Sequence, residues 1–453
     1  MSMQVSDSTT AICPRNHENP GGSDRCSECG LPIVDYEMEL DVLVKALVEQ
    51  EQHVKFVREK IFLGIGDQGC KFIQDFYLSW GRGLRSTEFL VIESSADSQH
   101  SDDADEARFR TVTQYKSPSI SFHRLPESPS KHVGYQGLGE RLAASDQELD
   151  DLLRRSGIRA STTRQTVFLL AALGGGTGSG AGPYALQRAR ALNPNCRNLV
   201  IGVMPAANEP DSAHFNALCS LSRFIKFGDS PSADMILLVN HDRLMEVRGV
   251  GSMGEELAGE SLLSHMLAAF MGNIADRSSS QTDLGYIAKM SRSMDLHAFV
   301  PCVAAGCSLE IFGGMTNIAE NALSCRLADV DTDSVALSYM LVQVPERLCQ
   351  TIPEDKLRAD LNKWNKDRFP RLRGSAIQLS HSSKRSDRID LCILLGGTKL
   401  AVTAKRAKEG FDRFRTIVES DAWEKEFAVT SESVGEMREV VESHDAKLDE
   451  MAN

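Results

Sequence analysis

The chain has 453 residues, 42% of them apolar and 25% charged, enough for two or three ordinary globular cores. Its formal charge of −13 argues against a general nucleic-acid binder, which needs a basic face. No apolar run reaches the ~18 residues of a membrane span, and the opening MSMQVSDSTT lacks the basic and apolar parts of a secretion signal. Eleven cysteines, most of them single in apolar segments, fit reduced thiols in a cytoplasmic protein better than a disulfide framework.

Cys13, His17, Cys26 and Cys29 form the pattern C-x3-H-x8-C-x2-C. Two thiolates two residues apart can chelate one face of a tetrahedral Zn²⁺, and Cys13 with His17 can complete the shell. The segment ICPRNHENPGGSDRCSECGLPI is similar to small prokaryotic zinc ribbons, with His in place of one usual Cys. The bland alternative is four coincidental residues, but Gly, Pro and Asn fill the spaces and leave nothing for an apolar core. The expected role is a structural Zn²⁺ in residues 1–35, in a module suited to docking another protein.

From Tyr36 to about Glu59, Leu40, Leu43, Val44, Leu47, Val48, Val54 and Val57 recur at mostly three- and four-residue spacing. That predicts a linker helix over 36–59, packed on the main domain or pairing as a short coil.

The pattern turns α/β at Lys60. KIFLGIG (60–66), EFLVIE (88–93), TVFLLAAL (166–173), NLVIGVMP (198–205) and ADMILLVN (233–240) read as buried strands. Residues 97–107 read as a polar loop. Ser145 and Glu148 are spaced as a capping box for a helix over 145–156, and Tyr184–Leu192 reads as another helix. Strands alternating with helices imply a parallel sheet whose ligand lies at the strands' carboxyl ends. This nucleotide-binding type of domain spans 60–252. A long apolar central helix with its following loop is expected over 253–280, a second, smaller α+β domain over 281–420, and an acidic tail, solvated helix or disordered, over 421–453.

Two glycine loops carry the chemistry. Gly64-Ile65-Gly66-Asp67-Gln68-Gly69 follows a strand as G-x-G-x-x-G, with Glu93 ending the next strand. Alone, this is a weak dinucleotide fingerprint, or simply a tight turn. The second loop is more specific. Strand 166–173 runs into Gly174-Gly175-Gly176-Thr177-Gly178-Ser179-Gly180 at the start of a helix. Such backbone turns its N–H groups toward phosphate oxygens, helped by the helix N-terminus and by hydroxyls of Thr177 and Ser179. No G-x-x-x-x-G-K-[ST] occurs, so no P-loop lysine is involved.

This loop resembles the signature G-G-G-T-G-[ST]-G of the tubulin/FtsZ superfamily, and the resemblance extends over about 60–400 with motifs in the family's order. GIGDQGCKF (64–72) resembles the first nucleotide loop in its archaeal CetZ-like form, with Asp67 and Cys70 in place of the usual residues. ESSADS (93–98) occupies the second loop, and YQGLGERLAAS (135–145), with Gly137, resembles the third, γ-phosphate-sensing one. MPAANEPDSAHFNALCSLSRF (204–224) is similar to the ribose loop and its helix. VNHDRL (239–244) resembles the base-contacting segment.

The resemblance implies a Rossmann-like GTP-binding domain that takes GTP or GDP and allows an accompanying Mg²⁺. Gly66, Asp67, Gln68, Gly69, Gly137 and Gly174–Gly180 would surround the phosphates, Glu209 the ribose and Asn240 the guanine edge. It also implies head-to-tail filaments whose hydrolysis uses a carboxylate from the next subunit, here Asp283. Gln281 and Tyr286 replace the family's Asn and second acid, and Ser261 or Ser264 stands where Asn or Asp contacts the base. A phenol with a pKa of ~10 cannot orient water as a carboxylate does. Asp283 equally suits a helix N-cap.

Three functions therefore compete. The first is a filament-forming GTP-binding protein with slow hydrolysis. The second is a non-hydrolysing or non-polymerising nucleotide-bound scaffold that docks partners through the zinc ribbon and the helix over 36–58; whichever holds, an unknown protein partner is expected at the zinc ribbon or the acidic tail. The third, an NAD-dependent oxidoreductase using Gly64–Gly69 and Glu93, leaves the second glycine loop unexplained.

Overall fold

A computed structural model describes residues 11–12, 17–20, 23, 25–30, 60–80, 87–94, 120–126, 134–158, 165–250, 256–270, 291–350, 352–382, 387–418 and 420–452. The chain divides into two compact units, Met1–Arg58 and Glu59–Asn453. In the first, strands β1 (Ala11–Ile12) and β2 (Glu18–Asn19) pair antiparallel. Cys13 and the expected linker helix lie outside the described residues, as does the loop 97–107.

The second unit is built on a ten-stranded sheet. β3 (Lys60–Ile65) is a buried apolar run that ends in helix α1 (Gly66–Trp80). β4 (Thr87–Ser94) and β5 (Ile120–Leu125) follow, then α2 (Gln136–Ser145) and α3 (Leu149–Arg155). β6 (Thr166–Ala172) leads into α4 (Gly176–Leu192), β7 (Arg197–Met204) into α5 (Asp211–Ile225), and β8 (Met235–Asn240) into α6 (His241–Glu246). A hairpin of β9 (Arg248–Val250) and β10 (Glu256–Ala258) precedes α7 (Gly259–Phe270). The remaining elements are β11 (Ala298–Ser308), α8 (Met315–Ser324), β12 (Leu337–Pro345), α9 (Glu354–Arg368), β13 (Gly374–Ser382) and β14 (Arg388–Gly396), then α10 (Lys405–Ile417) and α11 (Ser431–Ala452).

The strand order is β13-β12-β14-β11-β8-β7-β6-β3-β4-β5. From β8 to β5 every pairing is parallel. Near-continuous apolar strands of this kind need cover on both faces. α2 to α5, α10 and α11 contribute to the core of one face, and α1 and α7 to that of the other. Phe62 stacks with Phe89 and Phe168 at 5.3 and 4.8 Å between ring centroids. The expected second set of strands has a third core, where Ile318, Leu361 and Trp364 meet β12 and β14. It nonetheless continues the first sheet, since β11 joins β8 through Ala298↔Ile236 and Phe299↔Leu237.

Three local expectations are corrected. Ser145 ends α2 instead of capping a helix, its hydroxyl donating to the Leu142 carbonyl at 2.8 Å. The N-cap of α3 is Glu148, which makes no side-chain cap bond; Asp146 closes the turn before it, its carboxylate accepting from the Glu148 N–H at 2.9 Å. The helix expected to begin at Tyr184 begins at Gly176, so the glycine loop is its first turns. Within 421–453, α11 is a packed helix: Val434, Met437, Val441 and Leu448 are buried, on a stripe of three-, four- and seven-residue steps hidden by the acidic composition. Of the long central helix, α7 covers Gly259–Phe270, and 271–280 lie outside the described residues.

Candidate functional site

Strand order places the site. From β3 the chain runs outward to β4 and β5, then returns to β6 on β3's other side. Such a reversal opens a crevice at the carboxyl ends of the two strands. A cleft of about 290 Å³ lies there, lined by Gly66–Gln68 after β3, Gly174–Gly178 after β6, Glu209 after β7 and His241 after β8. The cleft wall contains the N-terminal turns of α1 and α4, whose first N–H groups have no partner within their helices.

The two glycine turns touch. Gly66 has φ +74°, a conformation that favours glycine, and a Cβ there would lie 3.1 Å from the Gly178 nitrogen. Thr177 is buried, and its hydroxyl donates to Ser94 at 3.2 Å. The Glu209 carboxylate accepts from the Ala206 N–H at 2.7 Å and so folds its own loop. The side-chain amide of Asn216, on α5, donates to the Gly174 carbonyl at 2.8 Å and to the Gly134 carbonyl at 2.9 Å. Its oxygen accepts from the Gln136 N–H at 2.9 Å. One buried amide thus ties the glycine loop to the segment that opens α2.

Not every sequence candidate lines this cleft. Gly69 packs on β6, where a Cβ would lie 2.3 Å from the Leu170 carbonyl oxygen. Gly137 packs under the 427–429 turn, its Cβ position 2.3 Å from the Phe427 oxygen. Ser179 is fully buried, its hydroxyl donating to the Gly175 carbonyl at 2.5 Å. Gly180 sits where α4 crosses α2, a Cβ there lying 2.0 Å from the Gln136 oxygen. Asn240 precedes α6, with its backbone N–H donating to the Leu327 carbonyl at 2.8 Å; its neighbour His241 is the residue that reaches the cleft. Asp283, Gln281 and Tyr286 lie outside the described residues.

A second cavity of about 650 Å³ continues from the first and shares Gln68, Ala172, Val203 and His241 with it. It runs between α1 and α7. Lys71, Phe72 and Asp75 line one wall, and Glu260, Ser261, Ser264 and His265 the other. Burial pushes the Asp75 carboxyl up; Lys71 pulls it down and the opposing Glu260 raises it further. The Nδ1 of His265 is 2.7 Å from the Ser261 carbonyl, so that nitrogen carries the proton. Glu93, the acid of the dinucleotide reading, lies beside Cys70, whose thiol is pushed well up by burial and then by Glu93.

Sequence reading missed Gln136, His241, Asp75 and Glu260. Asn216 carried one usable signal: a lone amide inside the apolar run of α5 must find hydrogen bonds when buried.

In the N-terminal unit the donor atoms of His17, Cys26 and Cys29 all lie within 4.8 Å of one another. The buried Asn19 organises the turn, accepting from the Ser27 N–H at 2.9 Å and donating to the His17 carbonyl at 3.0 Å. Burial raises the Cys26 thiol, yet the hydrogen bonds of Cys29, Asn19, Glu28 and His17 outweigh it and bring the thiol to about 6. Two soft sulfur donors and an imidazole are the set that zinc favours.

The switch-point cleft, its paired glycine turns and the sheet order define a nucleotide-binding α/β domain. Residues 59–249 match the family model "Tubulin/FtsZ family, GTPase domain", so this part of the chain is similar to the GTPase domain of that family. The cell division protein FtsZ 1 of Pyrococcus woesei is 24% identical over 231 residues, 51% of this chain. That match spans about half the length of the curated relative, 52%. Two solved structures share the fold. CetZ2 from Haloferax volcanii, a GTPγS-bound protofilament, gives a TM-score of 0.56 at 19% identity, covering 79% of this chain and 99% of its own. CetZ from Methanosaeta thermophila gives 0.57 at 16% identity, covering 85% and 99%. No helix among the described residues is long and apolar enough to cross a membrane.

Proposed function

We propose that the chain binds GTP or GDP across the two joined cavities and belongs to a cytoskeletal, self-assembling system. The observation that carries this reading is their continuity: a small, glycine-walled cleft at the strand ends opens into a larger one between α1 and α7. The first suits phosphates, held by main-chain N–H groups at Gly66 and Gly174–Gly178 and by the positive ends of α1 and α4. The second has the size and mixed lining for a base and ribose. In this reading Glu260, Ser261, Ser264 and His241, which line the second cavity, would meet the base and ribose in place of Asn240, and Glu209, which lines the first, would stay with the phosphates.

Neither Lys nor Arg lines the phosphate cleft among the described residues, whereas Asp67 and Glu209 do. That oxygen-donor set fits Mg²⁺, with Asp67 beside the phosphates. When bound, the ion would offset the phosphate charge.

The likeness in fold to CetZ2 from Haloferax volcanii, solved as a protofilament, supports head-to-tail assembly, with Asp283 of one copy acting on the nucleotide of the next. Slow turnover follows from Tyr286 and Gln281, which cannot replace the second acid and the amide. Mass spectrometry of the nucleotide carried by the purified protein tests the binding reading, and bound NAD or no nucleotide would overturn it. Phosphate release and light scattering against protein concentration test assembly. Turnover per molecule that is independent of concentration and unchanged in Asp283→Ala would remove the filament step.

His17, Cys26 and Cys29 favour a second element of function: a structural Zn²⁺, with Cys13 as the fourth ligand, in a module that docks another protein. One equivalent of zinc per chain, lost in Cys26→Ser, is the expected metal analysis.

A further inference from the structure

We infer that Asn216 is the positioning residue that sets the phosphate grip of the cleft, by holding the Gly174–Gly175 peptide in one orientation. The inference rests on the nucleotide reading above. Asn216 is 1% exposed and does not line the cleft, while Gly174 and Gly175 do. Its Nδ2 takes the Gly174 carbonyl at 2.8 Å, so that oxygen faces α5 and away from the cleft. A trans peptide is planar, with C=O and N–H antiparallel. Fixing the carbonyl toward α5 therefore aims the Gly175 N–H into the cleft.

Among the described residues no acceptor takes the Gly175 N–H. A Cβ at Gly175 would meet nothing within 4 Å, so side-chain packing does not restrain this peptide. Without Asn216 a glycine–glycine peptide would be free to flip and present its carbonyl oxygen to the phosphates. The same amide holds Gly134 and Gln136, so the peptide orientation is linked to the segment that begins α2. Among the described residues no other side chain hydrogen-bonds that carbonyl.

The test is competition binding of GTP, GDP and guanosine to the full-length chain, with a fluorescent guanine nucleotide as the probe. Asn216→Asp keeps the acceptor for Gln136 but sets an oxygen against two carbonyls. Losing a hydrogen bond to a charged group predicts a fall in GTP and GDP affinity of roughly ten- to a hundredfold. Guanosine, which lacks the phosphates, keeps its affinity; a merely structural defect would lower all three. Should Asn216→Asp fail to fold, Gly175→Pro serves: φ −83° and ψ 153° suit proline, and the N–H is removed. It is expected to produce the same phosphate-selective loss. A folded Asn216→Asp, or Gly175→Pro, that binds GTP and GDP as the parent does overturns the inference. A parent chain that binds no guanine nucleotide instead overturns the reading beneath it.

Discussion

Arg413 and Asp211, 202 residues apart in sequence, form a two-pronged ion pair, Nη2 to Oδ1 at 2.8 Å and Nε to Oδ2 at 3.1 Å. It joins α10 to the first residue of α5, two positions beyond Glu209. A parallel contact joins Arg406 to Asp242, which also accepts from the Ala207 N–H. The late helix α10 therefore braces the loop that forms one lip of the cleft. Both arginines are exposed, so the pairs add little to global stability. Arg413→Ala is expected to leave the melting temperature nearly unchanged. It should weaken nucleotide binding by less than about tenfold, with a larger effect at low salt. Calorimetric titration at two ionic strengths checks this.

Gly180 and Gly175 should respond oppositely to alanine. A Cβ at Gly180 would lie 2.0 Å from the Gln136 oxygen and 2.4 Å from the Glu140 nitrogen, so α4 and α2 must separate. Gly180→Ala is expected to cost about 1–3 kcal/mol or more, the range for overpacking a tight site. Gly175→Ala meets open space and should fold normally. Urea unfolding of the two variants checks the difference.

His214 gives the fold an acid limit. Burial holds its imidazole below the ordinary value of 6.5, with Arg413 and Arg406 acting in the same sense and Glu209 and Asp211 against. The unfolded chain then binds a proton that the native chain does not. This contribution to stability is fully present above about pH 6.5, the unfolded value, and is lost as pH falls from there through the lower folded value. His214→Leu should flatten the stability profile between pH 7 and 5, measured as the urea midpoint against pH.

Removing α11 should be severe. Val434, Met437, Val441 and Leu448 are each at most 4% exposed, and a buried side chain of this kind is worth roughly 1.5–3 kcal/mol. The Asp445 carboxylate also accepts from the Leu400 and Ala401 N–H groups, both at 2.7 Å. A chain ending at Thr430 is expected to be insoluble or to lose its cooperative transition, whereas removal of a solvated tail would change neither.

The sheet was legible because buried parallel strands are unmistakable apolar runs, as in TVFLLAAL and ADMILLVN. β5 (ISFHRL) and β13 (GSAIQLSHS) were not, since edge strands carry polar residues that imitate loops. The glycine loop stood out by composition. Its division did not: Gly174–Gly178 face the cleft, Ser179 turns back on its own helix and Gly180 packs on α2, a split set by burial and a helix crossing that no local pattern encodes. His241 was passed over for Asn240 because motif register is good only to a residue, and the start of α6 decides which one turns inward. The stripe on α11 was hidden because its polar residues dominate any count of charge.

A cleft walled by main-chain amides has an evolutionary corollary. Ordinary substitutions exchange side chains and leave the peptide group in place, and only proline deletes its N–H. No lysine lines this cleft among the described residues, so neither acetylation nor charge reversal of a lysine could silence it there. Drift can therefore abolish such a grip mainly by bending it out of shape. The chain is below 20% identical to the two CetZ structures that share its fold, yet its glycine run stays readable.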